Sequence, residues 1–473
     1  MAIVLAAGQG TRMKSRRPKV LHEVAGKPLL TYPIDVARRA GADRVVVVVG
    51  YARDEVEAAL RDRYGGEVET AVQEEQKGTG HAARCGLDRV GSYDGPVVIL
   101  YGDCPLIPGA ALEALLAAPV APLSMLTARL ADPTGYGRLL RAEGEAGTPG
   151  PIVEVREQKD CTPEERAIDE VNPGIYAIDG KFLDAGLKNL SSDNAQGELY
   201  LTDLVAAAAN EGAVSDVAWD RDELRGINDR WELAYAERRM QERLLEEHAR
   251  AGVTIVDPSR TWVGADVTIG SDAILEPGVV LRGATTIGAG ARIDVGSVLT
   301  DVTVAEGAWL KPYTVAQESR IGERAQTGPF AHLRPKSDLG PETRVGNFVE
   351  TKKTRLGKGS KANHLAYLGD GEIGEGVNVG AGVIFCNYDG FQKHTTTLED
   401  GSFVGSDCQI VAPIIVGKGA YVATGTTVTR NVPPDALAVG RARQSNKDGY
   451  AARLRARLQA KKDHARKSGA TEK

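Results

Sequence analysis

From Val263 onward an aliphatic residue returns at every sixth position: Val263, Ile269, Leu275, Leu281, Ile287, Ile293 and Leu299. Four residues after each of the first six stand Val267, Ala273, Val279, Thr285, Ala291 and Ser297. A six-residue period matches neither an amphipathic helix nor an ordinary alternating strand. It fits a solenoid in which each hexad supplies one short flat strand and a turn. The aliphatic side chain points inward, and three hexads close one coil of a parallel β-helix. The phase returns at Val404, Ile410, Val416, Val422 and Val428, with looser units between, and stops at Pro433-Pro434.

That repeat cannot describe the first half of the chain. Up to about Asn228, short apolar strands alternate with helical stretches: Val45–Val49 and residues 97–101 read as buried strands, and 54–61 as a helix. This predicts a doubly wound, Rossmann-like α/β domain, with ligands beyond the carboxyl ends of its strands. Residues 229–251, rich in Ala, Glu, Arg and Leu and free of proline and glycine, predict a long linking helix that ends at Gly252. The expected organisation is therefore 1–228 α/β, 229–251 helix, 252–440 β-helix and 441–473 a basic tail, helical from Tyr450 through Arg466. A chain of 473 residues is long enough for two well-buried cores.

A net charge of −6 gives no overall basic field, which argues against nucleic acid as the main partner. The five cysteines show no metal-binding spacing and suggest a reducing compartment. The first strand begins at the initiator methionine, leaving no room for a signal peptide, and no apolar run approaches the length of a membrane span. A cytoplasmic protein that engages no membrane is expected.

The run Leu5-Ala-Ala-Gly-Gln-Gly-Thr-Arg-Met13 follows the first strand directly. Its glycines allow a tight loop whose backbone N–H groups converge on one anion. It lacks the Gly-Lys-Ser/Thr of a Walker loop and the spacing of a dinucleotide fingerprint. Arg12 and Lys19 instead place two fixed cations where a triphosphate or a leaving pyrophosphate needs them.

Nearly the whole chain resembles the bacterial bifunctional N-acetylglucosamine-1-phosphate uridyltransferase and glucosamine-1-phosphate N-acetyltransferase family, which makes UDP-N-acetylglucosamine for the cell wall. The marks are Leu5-AAGQGTRM, Pro18-Lys-Val-Leu-His22, Gln76-Lys-Gly-Thr-Gly-His81, Tyr101-Gly-Asp103 and Asp132-Pro-Thr-Gly-Tyr-Gly-Arg138 in the first half. Gly346-Asn-Phe-Val-Glu350 and Cys386-Asn-Tyr-Asp-Gly390 follow in the second. The resemblance implies a nucleotidyltransferase domain, a helical arm and a left-handed β-helix, assembled as a homotrimer with the acyl donor bound between subunits.

For uridylyl transfer from UTP to N-acetylglucosamine-1-phosphate, the resemblance implies that Leu5, Ala6, Ala7, Gly8, Arg12 and Lys19 hold phosphates, with Arg12 and Lys19 catalytic. Asp103 and Asn228 are implied ligands of Mg2+, whose usual donors are a few protein oxygens with phosphate and water. Gln73, Gly78 and Thr79 match uracil contacts, and Tyr101 and Gly102 belong to the same nucleotide-sugar set. Gly137, Glu157, Asn172 and Thr202 match the sugar pocket. The chain departs from the family in a longer segment at 143–151, in Pro173 for a common threonine and in Lys77 for an apolar residue.

For acetyl transfer from acetyl-CoA to glucosamine-1-phosphate, an ammonium cannot attack, so a base must take its proton. His364, in Lys361-Ala-Asn-His-Leu-Ala-Tyr-Leu-Gly-Asp370, is the implied base, with Glu350 expected to orient its ring. Arg334 and Lys352 correspond to phosphate-holding residues of the acceptor site, with Tyr367, Asn378 and Lys393 beside them and Lys353 adding charge. Ala381, Asn387, Tyr388, Ser406, Thr424 and Arg441 match acetyl-CoA contacts, Thr424 replacing a frequent alanine. The break in the hexads at 386–402 reads as a loop that leaves the coil and carries part of the site. Two rival readings are a sugar nucleotidyltransferase of other specificity with a non-acetylating β-helix, and a non-catalytic scaffold that keeps both folds. His364 with the 386–390 motif argues against the first, and Lys19, Asp103 and Asn228 against the second.

Overall fold

A computed structural model describes residues 1–120, 122–144, 148–212 and 214–467. The long segment expected at 143–151 falls partly outside the described residues, and so does the end of the basic tail. The chain divides into two compact units, Met1–Asp301 and Val302–Lys473.

In the first unit the buried strand Ala2–Leu5 pairs in parallel with Val45–Val49 on one side and Pro96–Tyr101 on the other. Glu69–Val72 extends the Val45–Val49 side, also in parallel. The unbroken valine run suits a strand covered on both faces, and separate apolar clusters do lie on the two faces of this sheet. Strand order reverses at Ala2–Leu5, so a crevice opens beyond its carboxyl end and that of Pro96–Tyr101. The sheet is mixed rather than wholly parallel: Tyr176–Asp179 runs antiparallel between Pro96–Tyr101 and Leu123–Arg129.

The expected long helix spans Arg230–Arg250 and is capped by Asp229, whose Oδ1 accepts the N–H groups of Trp231 and Glu232, both at 2.9 Å. It is more than a spacer. Ala236 and Met240 are buried with Val24, Leu29, Leu106 and Ile227. The two Glu237 carboxylate oxygens accept the Ala25 N–H at 2.6 Å and the Trp262 indole N–H at 2.7 Å. Gln241 exchanges two hydrogen bonds with the backbone of Val263, at 2.9 and 3.0 Å. Arg63 and Asp266 add a bidentate pair at 2.8 and 3.0 Å. Each fully buried aliphatic side chain contributes about 1.5–3 kcal/mol, against about 0–1 for a half-exposed ion pair, so the apolar contacts dominate this join. The first hexad coils therefore belong to the same compact unit as the α/β sheet.

The hexad residues turn inward as their spacing requires. Leu275, Leu281, Ile293 and Leu299 are fully buried, as are Ala273, Val279, Thr285, Ala291 and Ser297; Ile269 is half-buried. Successive coils pair in parallel, Leu275 with Ile293 and Leu281 with Leu299. The second unit repeats the pattern, with Val404, Ile410, Val416 and Val422 fully buried. Its looser units have a simple cause: Val345 pairs with Ala362 and Ala362 with Val379, each one residue short of three hexads. Val379 then pairs with Val404, and the extra length between them forms a loop outside the coil. The tail is helical over Tyr450–Lys467 and exposed on nearly every side. No helix among the described residues is long and apolar enough to cross a membrane.

Candidate active sites

The crevice of the first unit holds a cavity of about 300 Å³ lined by Leu5, Ala6, Ala7, Gly8, Lys19, Gln73, Gly78, Thr79, Tyr101 and Asp103. Among the described residues the amides of Ala7, Gly8, Gln9 and Gly10 donate to no protein group, leaving them free for an anion. Gly10, at φ +61°, packs so tightly that a Cβ would stand 2.4 Å from that of Lys19. Gly8 has open space in the corresponding direction.

Lys19 sits at the centre of the polar cluster. Its ammonium pairs with Asp103 Oδ2 and lies 3.5 Å from Asn228 Oδ1, while Arg12 Nη2 donates to that same Asn228 oxygen at 2.9 Å. Asp103 and Asn228, distant in sequence, thus face one point now held by a cation. An ammonium accommodated between two oxygens fits a donor set for a hard cation completed by phosphate and water. Among the described residues no group of three or more His, Cys, Asp or Glu could hold a metal.

Gln73 is buried, and its amide N–H groups go to Gly78 O at 3.0 Å and His81 Nδ1 at 3.2 Å, which leaves its oxygen as the free acceptor. Gly78 is required by the protein itself: at φ +99° its Cβ would lie 2.6 Å from Leu199 O. Thr79 Oγ1 accepts the Leu201 N–H at 3.0 Å. Gly102 donates to Leu5 O at 2.9 Å, and a Cβ there would meet Leu30. Gln76 and Glu198 also line the cavity and were not singled out in the sequence, although Gln76 opens a quoted motif; its amide reaches Ala7 O at 2.9 Å.

The four expected sugar residues come together. Gly137 pairs with Asn172 across neighbouring strands, and a Cβ on Gly137 would stand 3.7 Å from Glu157 Oε1, which accepts the Thr202 hydroxyl at 3.2 Å. Burial pushes the Glu157 carboxyl above the usual range, and burial also raises the Tyr101 phenol, with Glu157 and Asp103 adding to it. Asn172 is partly spent on the fold, donating to Tyr176 OH at 2.5 Å and accepting from the Gly174 N–H at 2.9 Å.

In the second unit His364 is exposed, and its Nδ1 lies 2.9 Å from Asn347 Oδ1. An amide oxygen only accepts, so Nδ1 carries the proton and Nε2 presents its lone pair outward, as a base must. The expectation for Glu350 is corrected here: its Oε1 accepts from Arg334 Nη1 at 2.7 Å, so it orients the guanidinium instead of the imidazole. The reason is register. Asn347 pairs with His364 and Glu350 with Tyr367, which places the carboxylate beside the wrong strand. Asn347→Ala is expected to lower the kcat of acetyl transfer about tenfold with little change in KM, read as thiol release against acetyl-CoA concentration.

Lys352 carries a like charge beside it: its ammonium pKa is lowered first by Lys393 and next by Arg334. Three cations that crowd one another create a place for an anion. Tyr367 OH and the Asn387 amide border the same spot, since a Cβ on Gly369, the strand partner of Lys352, would lie 2.6 and 2.7 Å from them. Asn378 lies on the neighbouring sheet, paired with Lys361 of the His364 strand. Of the expected acyl-donor residues, Ala381, Ser406 and Thr424 follow one corner of the coil, while Asn387 and Tyr388 stand on the loop that leaves it. The turns of that corner are linked by Leu365 N–H to Asn347 O at 3.1 Å, Gly382 N–H to Leu365 O at 3.0 Å, Asp407 N–H to Ala381 O at 2.7 Å and Gly425 N–H to Ser406 O at 2.9 Å. Arg441 Nη1 closes the line on Thr424 O at 2.8 Å. This line of corner turns starts at Leu365, next to His364 in the chain.

Comparison with known proteins agrees with this division. Residues 2–143 match the MobA-like NTP transferase domain, and residues 260–300 and 395–430 the hexapeptide repeat of succinyl-transferase. The bifunctional protein GlmU of Sorangium cellulosum is 57% identical over 474 residues, covering 98% of each chain. The chain belongs to the GlmU family. GlmU proteins of Anaeromyxobacter sp. (54% identical, covering 97% of this chain and 94% of the relative) and Trichlorobacter lovleyi (49%, 96% and 98%) agree over similar spans. GlmU membership bears out the left-handed β-helix and the two activities expected from the motifs, uridylyl transfer to N-acetylglucosamine-1-phosphate and acetyl transfer to glucosamine-1-phosphate.

Proposed function

We propose that the chain performs its two transfers at two sites that share no residue. Glucosamine-1-phosphate is acetylated beside His364, and the product is then uridylylated in the crevice at Lys19. The observation that carries the acetyl site is the Asn347–His364 pair, which leaves one imidazole nitrogen free, and it is supported by the three cations gathered at Lys352, whose strand pairs with that of Tyr367. Arg334, Lys352 and Lys393 bind the sugar phosphate, and Tyr367 and Asn378 flank it. His364 Nε2 removes the proton from the amine as it attacks the thioester carbonyl, and CoA leaves along the corner formed by Ala381, Ser406, Thr424 and Arg441. Asn387 and Tyr388 close on the donor.

In the crevice the free amides of residues 7–10, with Arg12 and Lys19, take the triphosphate. Gln73 accepts the uracil N3–H, and Gly137, Glu157, Asn172 and Thr202 hold the sugar. The sugar-phosphate oxygen attacks the α-phosphorus and pyrophosphate departs. Asp103 and Asn228 would hold Mg2+, which neutralises charge on the transferring phosphates. For that, Lys19 must first leave those oxygens for the nucleotide. Lys19→Ala should therefore bind Mn2+ about tenfold or more tightly than the wild type with no nucleotide present, as measured by EPR. Equal affinities would remove Lys19 from the metal's oxygens.

The functional division is 1–228 for uridylyl transfer and 252–440 for acetyl transfer, joined by 229–251. A cytoplasmic homotrimer completes the reading, because His364, Ser406, Thr424 and Arg441 are all exposed and a neighbouring copy would enclose the donor. The test supplies glucosamine-1-phosphate, acetyl-CoA, UTP and Mg2+, and follows free thiol and pyrophosphate separately. Thiol release without UTP, and pyrophosphate release from supplied N-acetylglucosamine-1-phosphate without acetyl-CoA, are the expected results. Failure of either half-reaction in folded protein would overturn the reading.

A further inference from the structure

The loop that leaves the coil at residues 387–394 carries Asn387, Tyr388 and Lys393, yet it has almost nothing apolar to rest on. Residues 388–393 are all exposed, and Phe391 at its tip is 93% exposed. A loop without a core is held by hydrogen bonds, and these converge on one side chain. Asp389 Oδ1 accepts the N–H groups of Phe391 at 2.8 Å and Gln392 at 2.7 Å, and its Oδ2 accepts from His394 Nε2 at 2.7 Å. The Asp389 N–H donates to Gln392 O at 3.2 Å, and the His394 N–H returns to Asn387 O at 2.8 Å. Tyr388 and Lys393 are thereby set opposite one another as bridge partners. At the loop's base the Asn387 amide donates to buried Asp370 Oδ2 at 2.7 Å, an anchor that Asp389 does not need to supply. The same contacts, those of Gln392 and His394 foremost, hold the Asp389 carboxyl well below the usual range, so it stays ionised.

We infer that Asp389 is a positioning residue for acetyl transfer: its carboxylate fixes the loop so that the Lys393 ammonium reaches the acceptor phosphate beside Lys352. It touches neither substrate. The inference rests on the phosphate-binding role proposed above for Lys393, and the experiment separates the two.

Steady-state acetyl transfer is measured in the full-length protein for Asp389→Ala, Asp389→Asn, Lys393→Ala and the double variant Asp389→Ala/Lys393→Ala, with uridylyl transfer as the control for folding. Lys393→Ala alone tests the underlying reading and should raise the KM for glucosamine-1-phosphate about tenfold; no rise would overturn that reading, and this inference with it. Asp389→Ala should raise the same KM about tenfold with kcat within about twofold, since uniform binding is what is lost. Asp389→Asn keeps an oxygen for the two backbone N–H groups and should raise it about threefold. In the Lys393→Ala background, Asp389→Ala should add less than about twofold, because both changes remove one interaction. Full additivity, or an unchanged KM in Asp389→Ala while Lys393→Ala raises it, would overturn the role of Asp389. If Asp389→Ala also loses uridylyl transfer, the Asp389→Asn value decides: a KM equal to the wild type's overturns the inference.

Discussion

Asp103→Ala is expected to reduce uridylyl transfer by about 10³-fold or more while thiol release from acetyl-CoA stays within about twofold of the wild type. The size follows from what the carboxylate does at once. It supplies one of the two oxygens facing the cation position, and it partners Lys19. Metal stabilisation of charge on a transferring phosphoryl group is worth several kcal/mol, and each 1.36 kcal/mol is about a factor of ten. Asp103→Asn separates the two tasks, since it keeps an oxygen but loses the charge; it should fall between alanine and wild type and regain part of its rate at high Mg2+ or Mn2+. A variant that lost acetyl transfer to the same extent, in folded protein, would count against two independent sites.

His364→Ala is expected to act in the opposite sense. Acetyl transfer should fall by about 10²- to 10⁴-fold, the usual contribution of a positioned general base, with uridylyl transfer of supplied N-acetylglucosamine-1-phosphate unaffected. The residual reaction should depend on pH differently. Without a base, only sugar already carrying a neutral amine can react, so the rate of the variant should climb about tenfold per pH unit until the amine's own pKa is reached. The wild type should climb less steeply over the same range. Parallel profiles for the two proteins would mean that His364 does not take the proton.

Much of the fold was open to reading because its rules are local. An inward aliphatic at every sixth position has one geometric solution, and Leu275 through Leu299 adopt it. The Gly8 loop was equally legible, because the need for free amides after a strand constrains both residue types and spacing. What could not be read was anything set by register between coils. His364 meets Asn347, 17 residues back, because this coil is one residue short; a regular coil would have set Gly346 there, and nothing in the hexad phase announces the deletion. The antiparallel Tyr176–Asp179 was hidden for a related reason, since a short strand buried on both faces has the same composition whichever way it runs. Gln76 and Glu198 were missed as lining residues because their place depends on how two loops meet, and Gln76 is fixed there by its bond to Ala7 O.

The join made by Glu237 and Gln241 has a consequence for how such a chain could have been assembled from older parts. A nucleotidyltransferase borrowed without residues 254–301 would leave Glu237 and Gln241 without Trp262 and Val263, and one cut at 228 would strip Val24, Leu29 and Leu106 of their cover. The heritable cassette is therefore the front domain together with its arm and opening rungs. Shuffling is easiest further along the prism, where one coil resembles the next.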